Sequence, residues 1–377
     1  MSTYLLSDEQ REVRELARRF AEAEVAPGAA ERDEAHRFPS DLLDHLGILG
    51  LLGVPVAEEL GGGGADFLSY CLVLEELSRA DASLGVTLAV HTGAVTLPLL
   101  AHGSAEQVER LVPPLAAGGR IGAFALTESA GGSDPKAMRS QVDAELRLSG
   151  TKQWVTNGSH AGTVLAFARE GDAISAFVAD GADPGLAVLR EERKMGLHSS
   201  STADLAFERV RVERLGEAGA GLRIALAALD GGRIGIAAQA VGIAQAGLDV
   251  AVAYARERYA FGRPIAGFEA IQQKLAEMET EIEAARALTW RAARLKQANR
   301  PHGAEGAQAK LFASRVARHW TGEAIQVLGG YGYTKEFPVE RYYRDAKVTE
   351  IYEGTSEIQR LVIARRLLGD VAIGGRG

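Results

Sequence analysis

The hydrophobic period of this chain changes twice, and that change limits the folds it can adopt. Apolar residues recur at helical spacing over residues 1 to about 120. From about 121 to 215 they alternate as in strands, and after Gly221 the helical spacing returns. Side chains on one face recur every three or four residues in a helix and every second residue in a strand, so a sequence with one period does not favour the other element. The sequence therefore predicts an α+β fold, mainly α, with a strand region between two helical regions.

The second helical region carries one long apolar stripe. Its members recur every three or four residues: Ile271, Leu275, Met278, Ile282, Ala285, Leu288, Ala292 and Leu295. Such a stripe is typical of a long helix in a bundle. We expect this helix to end before Pro301. A second helix, over about 304–328, should end at Gly329-Gly330, because glycine favours the C-terminal cap.

The middle region predicts short strands separated by turns. The expected strands lie at 141–142, 146–148, 164–168, 174–178, 186–189 and 202–212. Turns are expected at Ser149-Gly150 and at Glu170-Gly171-Asp172, where glycine and polar residues interrupt the apolar runs. The region should therefore form a small β domain.

Composition excludes several classes of protein. A chain of 377 residues is expected to form two or three domains. Its net charge of −8 argues against a nucleic-acid partner. No run approaches the roughly 18 consecutive apolar residues of a membrane span. Ser7 and Gln10 predict a capped amphipathic helix rather than a signal peptide. The single Cys71 is predicted to be a small core residue, so we expect a cytoplasmic protein with no membrane segment.

Common cofactor and metal motifs are absent from the sequence. The glycine run at 61–64 lacks the lysine and hydroxyl residue of a phosphate loop. Gly219-Ala220-Gly221 is followed by Ile224 rather than a further glycine, so it does not predict a Rossmann site. The eight histidines form no His-x-x-x-His pair and no cluster with cysteine. No metal site is predicted.

One carboxylate near the C-terminus, Glu353, stands on a glycine-containing turn before a helix start. Ser356 and Gln359 have the spacing of a capping box, which explains the helix but not the residues before it. The apolar flank formed by Ile351 and Tyr352 should raise the pKa of Glu353 by desolvation, as suits a general base. The alternative is an acid that only stabilises the helix dipole.

Five segments together resemble the acyl-CoA dehydrogenases, and the likeness covers nearly the whole chain. They are Phe124 to Asp134, Trp154 to Gly158, Arg258 to Gly262, Gln326 to Gly330 and Ile351 to Gln359, and they occur in the order of that family. The pattern is most similar to that of the short-chain (butyryl) members. The resemblance implies an N-terminal helical domain (1–120), a middle β domain (121–222) and a C-terminal four-helix bundle domain (223–377).

The resemblance also implies an FAD site built from scattered groups. The residues that would contact the flavin are Leu126, Thr127, Ser133, Trp154, Thr156, Arg258, Phe261, Glu269, Gln326, Gly329, Gly330, Thr355 and Glu357. By this likeness Arg258 would pair with the pyrophosphate, and Gln326, Gly329 and Gly330 would reach the flavin of a neighbouring subunit. Most relatives have glutamine where this chain has Glu269. Each segment can also be explained by local structure alone. For example, Trp154 to Thr156 contains only residue types that favour a strand.

The activity implied is dehydrogenation of an acyl-CoA, with Glu353 as the base. The residues that would contact substrate are Ser133, Asp230, Arg233, Tyr352 and Gly354. Isovaleryl-type relatives carry the base on an earlier helix, where this chain has Gly232. Glutaryl-type relatives carry a substrate-binding arginine where this chain has Leu84, which argues against a dicarboxylic substrate. The implied partners are an electron-transferring flavoprotein and further copies of the chain in a homotetramer.

Three other functions stay open at this point. Acyl-CoA oxidases and flavin monooxygenases share the fold, although the monooxygenases generally lack the acid that this chain retains. A branched-chain substrate is compatible with the same site. A helical scaffold without activity is the remaining alternative, and the hydroxyls at Thr127, Ser133 and Thr156 together with Glu353 argue against it.

Overall fold

The computed structural model describes residues 6–369, and its N-terminal part is helical. Seven α-helices lie before the first strand: α1 (Asp8–Phe20), α2 (Ala29–Ala35), α3 (Ser40–Ile48), α4 (Phe67–Ala80), α5 (Ala82–Leu88), α6 (Leu97–His102) and α7 (Ala105–Ala116). The predicted cap of α1 is confirmed: the Ser7 hydroxyl accepts from the Gln10 N–H at 3.1 Å, and the Gln10 side chain accepts from the Ser7 N–H at 3.0 Å. Cys71 is buried in α4, as expected of a core residue.

Two helices are long and apolar enough to cross a membrane by length and composition. One runs over Ala82–His102 and includes a π-helical segment, Ala89–Thr96, between α5 and α6. The other is α8 (Gly221–Glu257). Of their most apolar windows, 83% and 72% respectively are buried inside the protein. A core helix shows the same pattern, because its apolar face is covered by other helices.

The middle region forms a seven-stranded sheet. Its strands are β1 (Gly122–Ala125), β2 (Gln141–Val142), β3 (Arg147–Thr156), β4 (Thr163–Glu170), β5 (Ala173–Asp180), β6 (Leu186–Glu191) and β7 (Thr202–Leu215). The predicted turn at Gly171 is confirmed, since β4 and β5 pair antiparallel with Glu170 opposite Ala173. The predicted turn at Ser149-Gly150 is wrong. Both residues lie inside β3, where the pairing with β7 shifts between Leu148 and Gly150, because an irregular strand tolerates glycine as a turn does.

The C-terminal part is again helical. After α8 come a small hairpin of β8 (Tyr259–Ala260) and β9 (Arg263–Pro264), and then α9 (Glu269–Gln297), α10 (Gly303–Leu328), α11 (Val339–Val348) and α12 (Ser356–Leu368). The predicted end of α10 at Gly329 is confirmed, with φ of 62° at that glycine. Helices α8, α9 and α10 pack on one another, and α11 and α12 pack against α10.

One apolar core joins the two helical parts. It contains buried side chains from α1 and α4 at the N-terminal end and from α8, α9, α10 and α11 at the C-terminal end. The α9 stripe contributes Met278, Ile282, Ala285 and Ala292, all inaccessible to solvent. The expected mainly α architecture, with a β domain between helical domains, is confirmed. The turn that joins α11 to α12 lies against this core, and it carries Glu353.

Candidate active site

The turn between α11 and α12 holds Glu353 in an unusual backbone conformation. Glu353 has φ of 53° and Gly354 has φ of 88°, a region that glycine adopts readily and other residues seldom do. The predicted capping box at Ser356 is wrong. Thr355 is the cap of α12, and its hydroxyl accepts from the Ile358 N–H at 3.4 Å. The Gln359 side chain is directed back into the turn instead of to the cap.

The Glu353 carboxylate faces α8 at Gly232. The residue as a whole is half-buried, but its Oε2 is out of contact with solvent and has no hydrogen-bond partner within residues 6–369. A Cβ added to Gly232 would lie 2.6 Å from this oxygen and 3.0 Å from Cδ. The absence of a side chain at 232 therefore makes the space that the carboxylate fills.

Desolvation makes this carboxylate more basic than an ordinary glutamate. Burial raises the pKa of Glu353 to about 7, against the lowering effect of the positive charges on Lys310 and Arg233. This agrees in direction and cause with the expectation from the sequence. A carboxyl group with a pKa near the working pH can both accept and release a proton.

Polar residues predicted to bind substrate surround the carboxylate. The Tyr352 hydroxyl donates to the buried Gln239 side chain, which in turn donates to the Ala82 carbonyl at 2.8 Å. Arg233, on the same helix as Gly232, is buried and ion-paired to Asp230. Its Nε is buried without a hydrogen-bond partner among the described residues. The structure thus brings Arg233 and Tyr352 close to Glu353, with Asp230 paired to Arg233.

Two further polar residues fix the turn; sequence reasoning missed Lys310 and assigned Gln359 to the helix cap. Lys310 of α10 donates to the carbonyls of Thr349 and Gly354, each at 2.8 Å. Gln359 of α12 donates to the carbonyls of Gly354 at 2.7 Å and Glu353 at 3.3 Å. A signal for Lys310 was present in the sequence, because it falls on the same helix face as the small apolar residues Ala307, Ala313 and Ala317.

A second group of predicted residues lies on the β domain. Thr127 follows β1, and its carbonyl accepts from the Gln153 N–H of β3 at 2.9 Å, which holds the two segments together. The hydroxyls of Thr127 and Thr156 make no hydrogen bond within the described chain. Trp154 has φ of 59° and its side chain is 57% exposed. Leu126 is buried beneath them. This edge of the sheet presents free hydroxyls and an uncovered indole.

Beneath that edge lies a buried ion pair that the sequence did not reveal. Lys152 is inaccessible to solvent, and its ammonium contacts Glu128 at 2.7 Å and the Leu126 carbonyl at 3.2 Å. Glu128 also accepts from the N–H groups of Arg139 and Ser140 at 2.6 and 3.1 Å. The pair therefore connects β3, the segment after β1 and the far end of the loop that carries Ser133. Ser133 itself is exposed.

A third group lies at the end of the C-terminal helices. Arg258, Gly329 and Gly330 line one surface hollow of about 600 Å³, with the Arg258 guanidinium 5.8 Å from the centre of the Tyr331 ring. Phe261, at the tip of the β8–β9 hairpin, is 95% exposed. Gln326 and Glu269 are exposed as well, on the last turn of α10 and the first turn of α9. This group and the β-domain group lie on different domains of the chain.

Thr355 and Glu357 differ in their surroundings. Thr355 is occupied in capping α12, whereas Glu357 is exposed on the first turn of that helix. The backbone N–H of Glu353 donates no hydrogen bond within the described residues. The turn thus presents a buried carboxylate and a free N–H from the same residue.

Comparison with known families covers the length of the chain. The profile of the acyl-CoA dehydrogenase N-terminal domain matches residues 7–119, that of the middle domain matches 123–210, and that of the C-terminal domain matches 219–368. The chain belongs to the acyl-CoA dehydrogenase family. The resemblance of the five sequence segments is confirmed, as is the expected class of enzyme, flavin-dependent oxidoreductases.

Similar proteins occur in animals and bacteria. The mitochondrial short-chain specific acyl-CoA dehydrogenase of Bos taurus is 49% identical, with 94% of this chain and 89% of that protein covered. The short-chain specific acyl-CoA dehydrogenase of Clostridium acetobutylicum is 44% identical, with 96% and 98% covered. Both relatives are short-chain specific members of the family, the group to which the sequence pattern is most similar.

Solved structures share the fold over nearly the whole chain. The butyryl-CoA dehydrogenase of Megasphaera elsdenii has a TM-score of 0.94 at 41% identity, covering 97% of this chain and 99% of its own. A chain from a structure of the electron transferring flavoprotein of Acidaminococcus fermentans has a TM-score of 0.96 at 43% identity, covering 97% and 100%. An acyl-CoA dehydrogenase from Bacillus anthracis complexed with FAD has a TM-score of 0.92 at 34% identity, covering 98% and 68%.

Proposed function

We propose that this acyl-CoA dehydrogenase uses FAD to convert a short- or medium-chain acyl-CoA into its trans-2-enoyl-CoA, with Glu353 as the base. The observation that carries the proposal is the Glu353 carboxylate, which is directed at Gly232 and has one buried oxygen without a hydrogen-bond partner within residues 6–369. In its ionised form, a carboxylate in these surroundings can accept a proton from a bound molecule. Similarity to short-chain relatives supports the substrate class.

The residues of the β-domain edge fit a flavin ring. The free hydroxyls of Thr127 and Thr156 and the backbone next to Leu126 offer hydrogen-bond donors, and the uncovered Trp154 offers an aromatic face. Gly132 and Ser133 are exposed on the loop between β1 and β2, and a Cβ added to Gly132 would meet nothing within 4 Å. Arg258, Gly329 and Gly330, which belong to the third group, would hold the nucleotide part of the FAD of a neighbouring subunit. When bound, FAD supplies the acceptor for a hydride.

The reaction then removes two hydrogens from the acyl chain. Glu353 takes the α-hydrogen as a proton, the β-hydrogen leaves with its electron pair as hydride, and a double bond forms between the two carbons. Such an α-proton is too weakly acidic for a carboxylate in water, so the thioester oxygen must be stabilised as charge develops. In this proposal the N–H of Glu353, which donates no hydrogen bond within residues 6–369, donates to that oxygen. One such donor is worth about 3 kcal/mol in a dry site.

The partners and setting of the enzyme follow from the same proposal. We infer that electrons pass to an electron-transferring flavoprotein, which the similarity to the Acidaminococcus fermentans chain supports. We infer a homotetramer, in which the exposed Phe261 and the hollow at Arg258 meet a neighbouring subunit. We also infer a cytoplasmic location, which the similarity to bacterial relatives supports. The domain boundaries at 120/121 and 222/223 are retained as proposals.

The proposal is tested by the visible spectrum of the purified protein during anaerobic titration with acyl-CoA. We expect a yellow protein that butyryl-CoA bleaches within seconds at pH 8, with octanoyl-CoA and isovaleryl-CoA less effective. Bleaching by isovaleryl-CoA alone would assign a branched-chain substrate. A protein that binds no flavin even when FAD is added would contradict the enzyme function and favour a scaffold. Rapid reoxidation by air would indicate an oxidase.

Replacing Gly232 by alanine should slow flavin reduction without loss of the fold. The added methyl would lie 2.6 Å from Glu353 Oε2, so the carboxylate must move. Since misplacement of a reacting group by about 1 Å can cost 100-fold in rate, we expect a 10- to 100-fold decrease in the rate of bleaching by butyryl-CoA. Flavin content and thermal midpoint should stay near those of the parent, because alanine has a higher helix propensity than glycine.

The control for this change is Gly231→Ala, on the same turn of α8. A Cβ at 231 would approach the flexible end of Lys296, at 3.2 Å from Cε and Nζ, rather than Glu353. Both variants therefore add the same methyl to the same helix. Equal rates in the two variants would contradict the role given to the Gly232–Glu353 contact.

A further inference from the structure

Lys310 is a buried lysine whose ammonium joins the two ends of the Glu353 turn. It is 1% exposed. Its Nζ donates to the Thr349 carbonyl, before Glu353, and to the Gly354 carbonyl, after it, both at 2.8 Å. A lysine ammonium has three donors and no acceptor, so most of its capacity is directed to this one turn. No carboxylate lies within ion-pair distance of it in the described chain.

The other contacts of the turn make Lys310 its central support. Ser314, one helical turn along α10, donates to the same Thr349 carbonyl at 2.9 Å. Gln359, which is inaccessible to solvent, donates to the same Gly354 carbonyl at 2.7 Å. Among Lys310, Ser314 and Gln359, it is Lys310 that contacts both the Thr349 and the Gly354 carbonyl. The backbone on either side of Glu353 is thereby fixed to α10.

Lys310 also acts on Glu353 through its charge. Burial lowers the pKa of Lys310 to about 8, against the raising effect of the Glu353 carboxylate. The other charged or titratable groups that act on the pair are Tyr70 of α4, Arg233 of α8, Glu350 and Tyr352 of the turn, and Glu357 of α12. Arg233 is ion-paired to Asp230, whereas Lys310 is bonded to neutral carbonyls. Its charge is therefore the less compensated of the two.

We propose that Lys310 is the positioning residue of the active-site turn, which fixes the backbone of Glu353 and keeps a positive charge near its carboxylate, so that the carboxyl group ionises at a lower pH than it would without that charge. This rests on the proposed function, in which Glu353 must be ionised to accept the α-proton. A lysine that only anchored α10 to the turn would affect stability and leave the ionisation of Glu353 unchanged. The pH dependence of the reaction separates the two.

The experiment compares the FAD-loaded parent with Lys310→Gln, Lys310→Met and Ser314→Ala by stopped-flow bleaching with saturating butyryl-CoA from pH 5.5 to 9. In the parent, the rate should fall as the pH drops below about 7, because protonation of Glu353 removes the base. Loss of the neighbouring positive charge should move this acidic limb up by roughly one pH unit or more in both neutral variants. Ser314→Ala keeps the charge, so its limb should stay where it is in the parent.

Rate and binding are expected to respond differently. Lys310→Met also loses both carbonyl bonds, so its limiting rate should fall about 10- to 100-fold further than that of Lys310→Gln, whose amide retains donors. The butyryl-CoA concentration at half-maximal rate should change little, because Lys310 contacts the turn rather than the substrate site. Flavin content and thermal midpoints, measured on the same samples, report the fold.

Each outcome decides the proposal. An acidic limb at the parental pH in Lys310→Gln and Lys310→Met would overturn it. Failure of both neutral variants to fold and bind flavin would overturn it too, since Lys310 would then be a residue of the fold. A shift in the neutral variants but not in Ser314→Ala would support it. If the parent itself is not bleached by any acyl-CoA, it is the proposed function that fails, which the parent samples reveal before any variant is compared.

Discussion

Replacement of Glu353 by glutamine should abolish flavin reduction by acyl-CoA while the flavin stays bound. The amide has nearly the shape of the carboxyl group but cannot accept the α-proton. General base catalysis contributes up to about 10,000-fold in rate, and we expect a decrease of at least about 1,000-fold. The fold should be retained, because Oε2 has no hydrogen-bond partner to lose in the part of the chain that the structure describes, and a neutral amide is less costly to bury than a charge.

This prediction is measured by anaerobic stopped-flow bleaching with butyryl-CoA. The control is Glu350→Gln, which makes the same chemical change three residues earlier. The Glu350 carboxylate pairs with Arg318 at 3.0 Å and Lys347 at 2.6 Å. That variant should be reduced within about threefold of the parental rate, since both cations that pair with Glu350 are partly exposed and loss of such a pair has a small effect. Rapid bleaching of Glu353→Gln would remove Glu353 from the mechanism.

The largest effect on stability is expected from Lys152→Met. The change leaves the Glu128 carboxylate buried without its cation, although the N–H groups of Arg139 and Ser140 still donate to it. Removal of one member of a buried pair costs about 3–5 kcal/mol. The Leu126 carbonyl also loses its donor, so the segment that carries Thr127 should loosen. We therefore expect weaker retention of FAD as well as a lower free energy of unfolding.

Urea unfolding of the FAD-loaded protein and the flavin content after gel filtration measure the two effects. Lys136→Met is the matched control, because it removes an exposed lysine from the loop between β1 and β2. An exposed substitution of this kind is expected to change the free energy of unfolding by about 0.5 kcal/mol or less. If Lys152→Met were no less stable than Lys136→Met, the ion pair would have no structural role.

The order of domains and the position of Glu353 could be predicted because both are local in the sequence. The stripe from Ile271 to Leu295 gives α9 directly, and the alternating runs on either side of Gly171 give the β4–β5 hairpin. Glu353 was recognisable from its apolar neighbours and from the segment that resembles the family. Each of these features depends on residues a few positions apart.

The supports of the site could not be predicted because they depend on contacts between distant elements. Lys152 looks like an ordinary surface lysine in the sequence, and the position of Lys310 on the apolar face of α10 indicates burial but not a partner. Only the packing of β3 and α10 shows what the two ammonium groups contact. The cap of α12 was assigned one residue too late for a similar reason. Ser356 and Gln359 have the right spacing, but Gln359 is drawn into the turn by the carbonyls of Glu353 and Gly354.

The left-handed backbone of Glu353 has a consequence for how such a site is found. Trp154 and Phe261 share this conformation with it, and all three are bulky residues predicted to meet flavin or substrate. Some others that share it, such as Leu146 and Arg209, lie at a turn or an irregular point of the sheet. A side chain in this region costs about 1 kcal/mol or more relative to glycine. Since the conformation also occurs away from these three residues, it indicates a candidate reaction centre only where it coincides with a buried polar group, such as the Glu353 carboxylate.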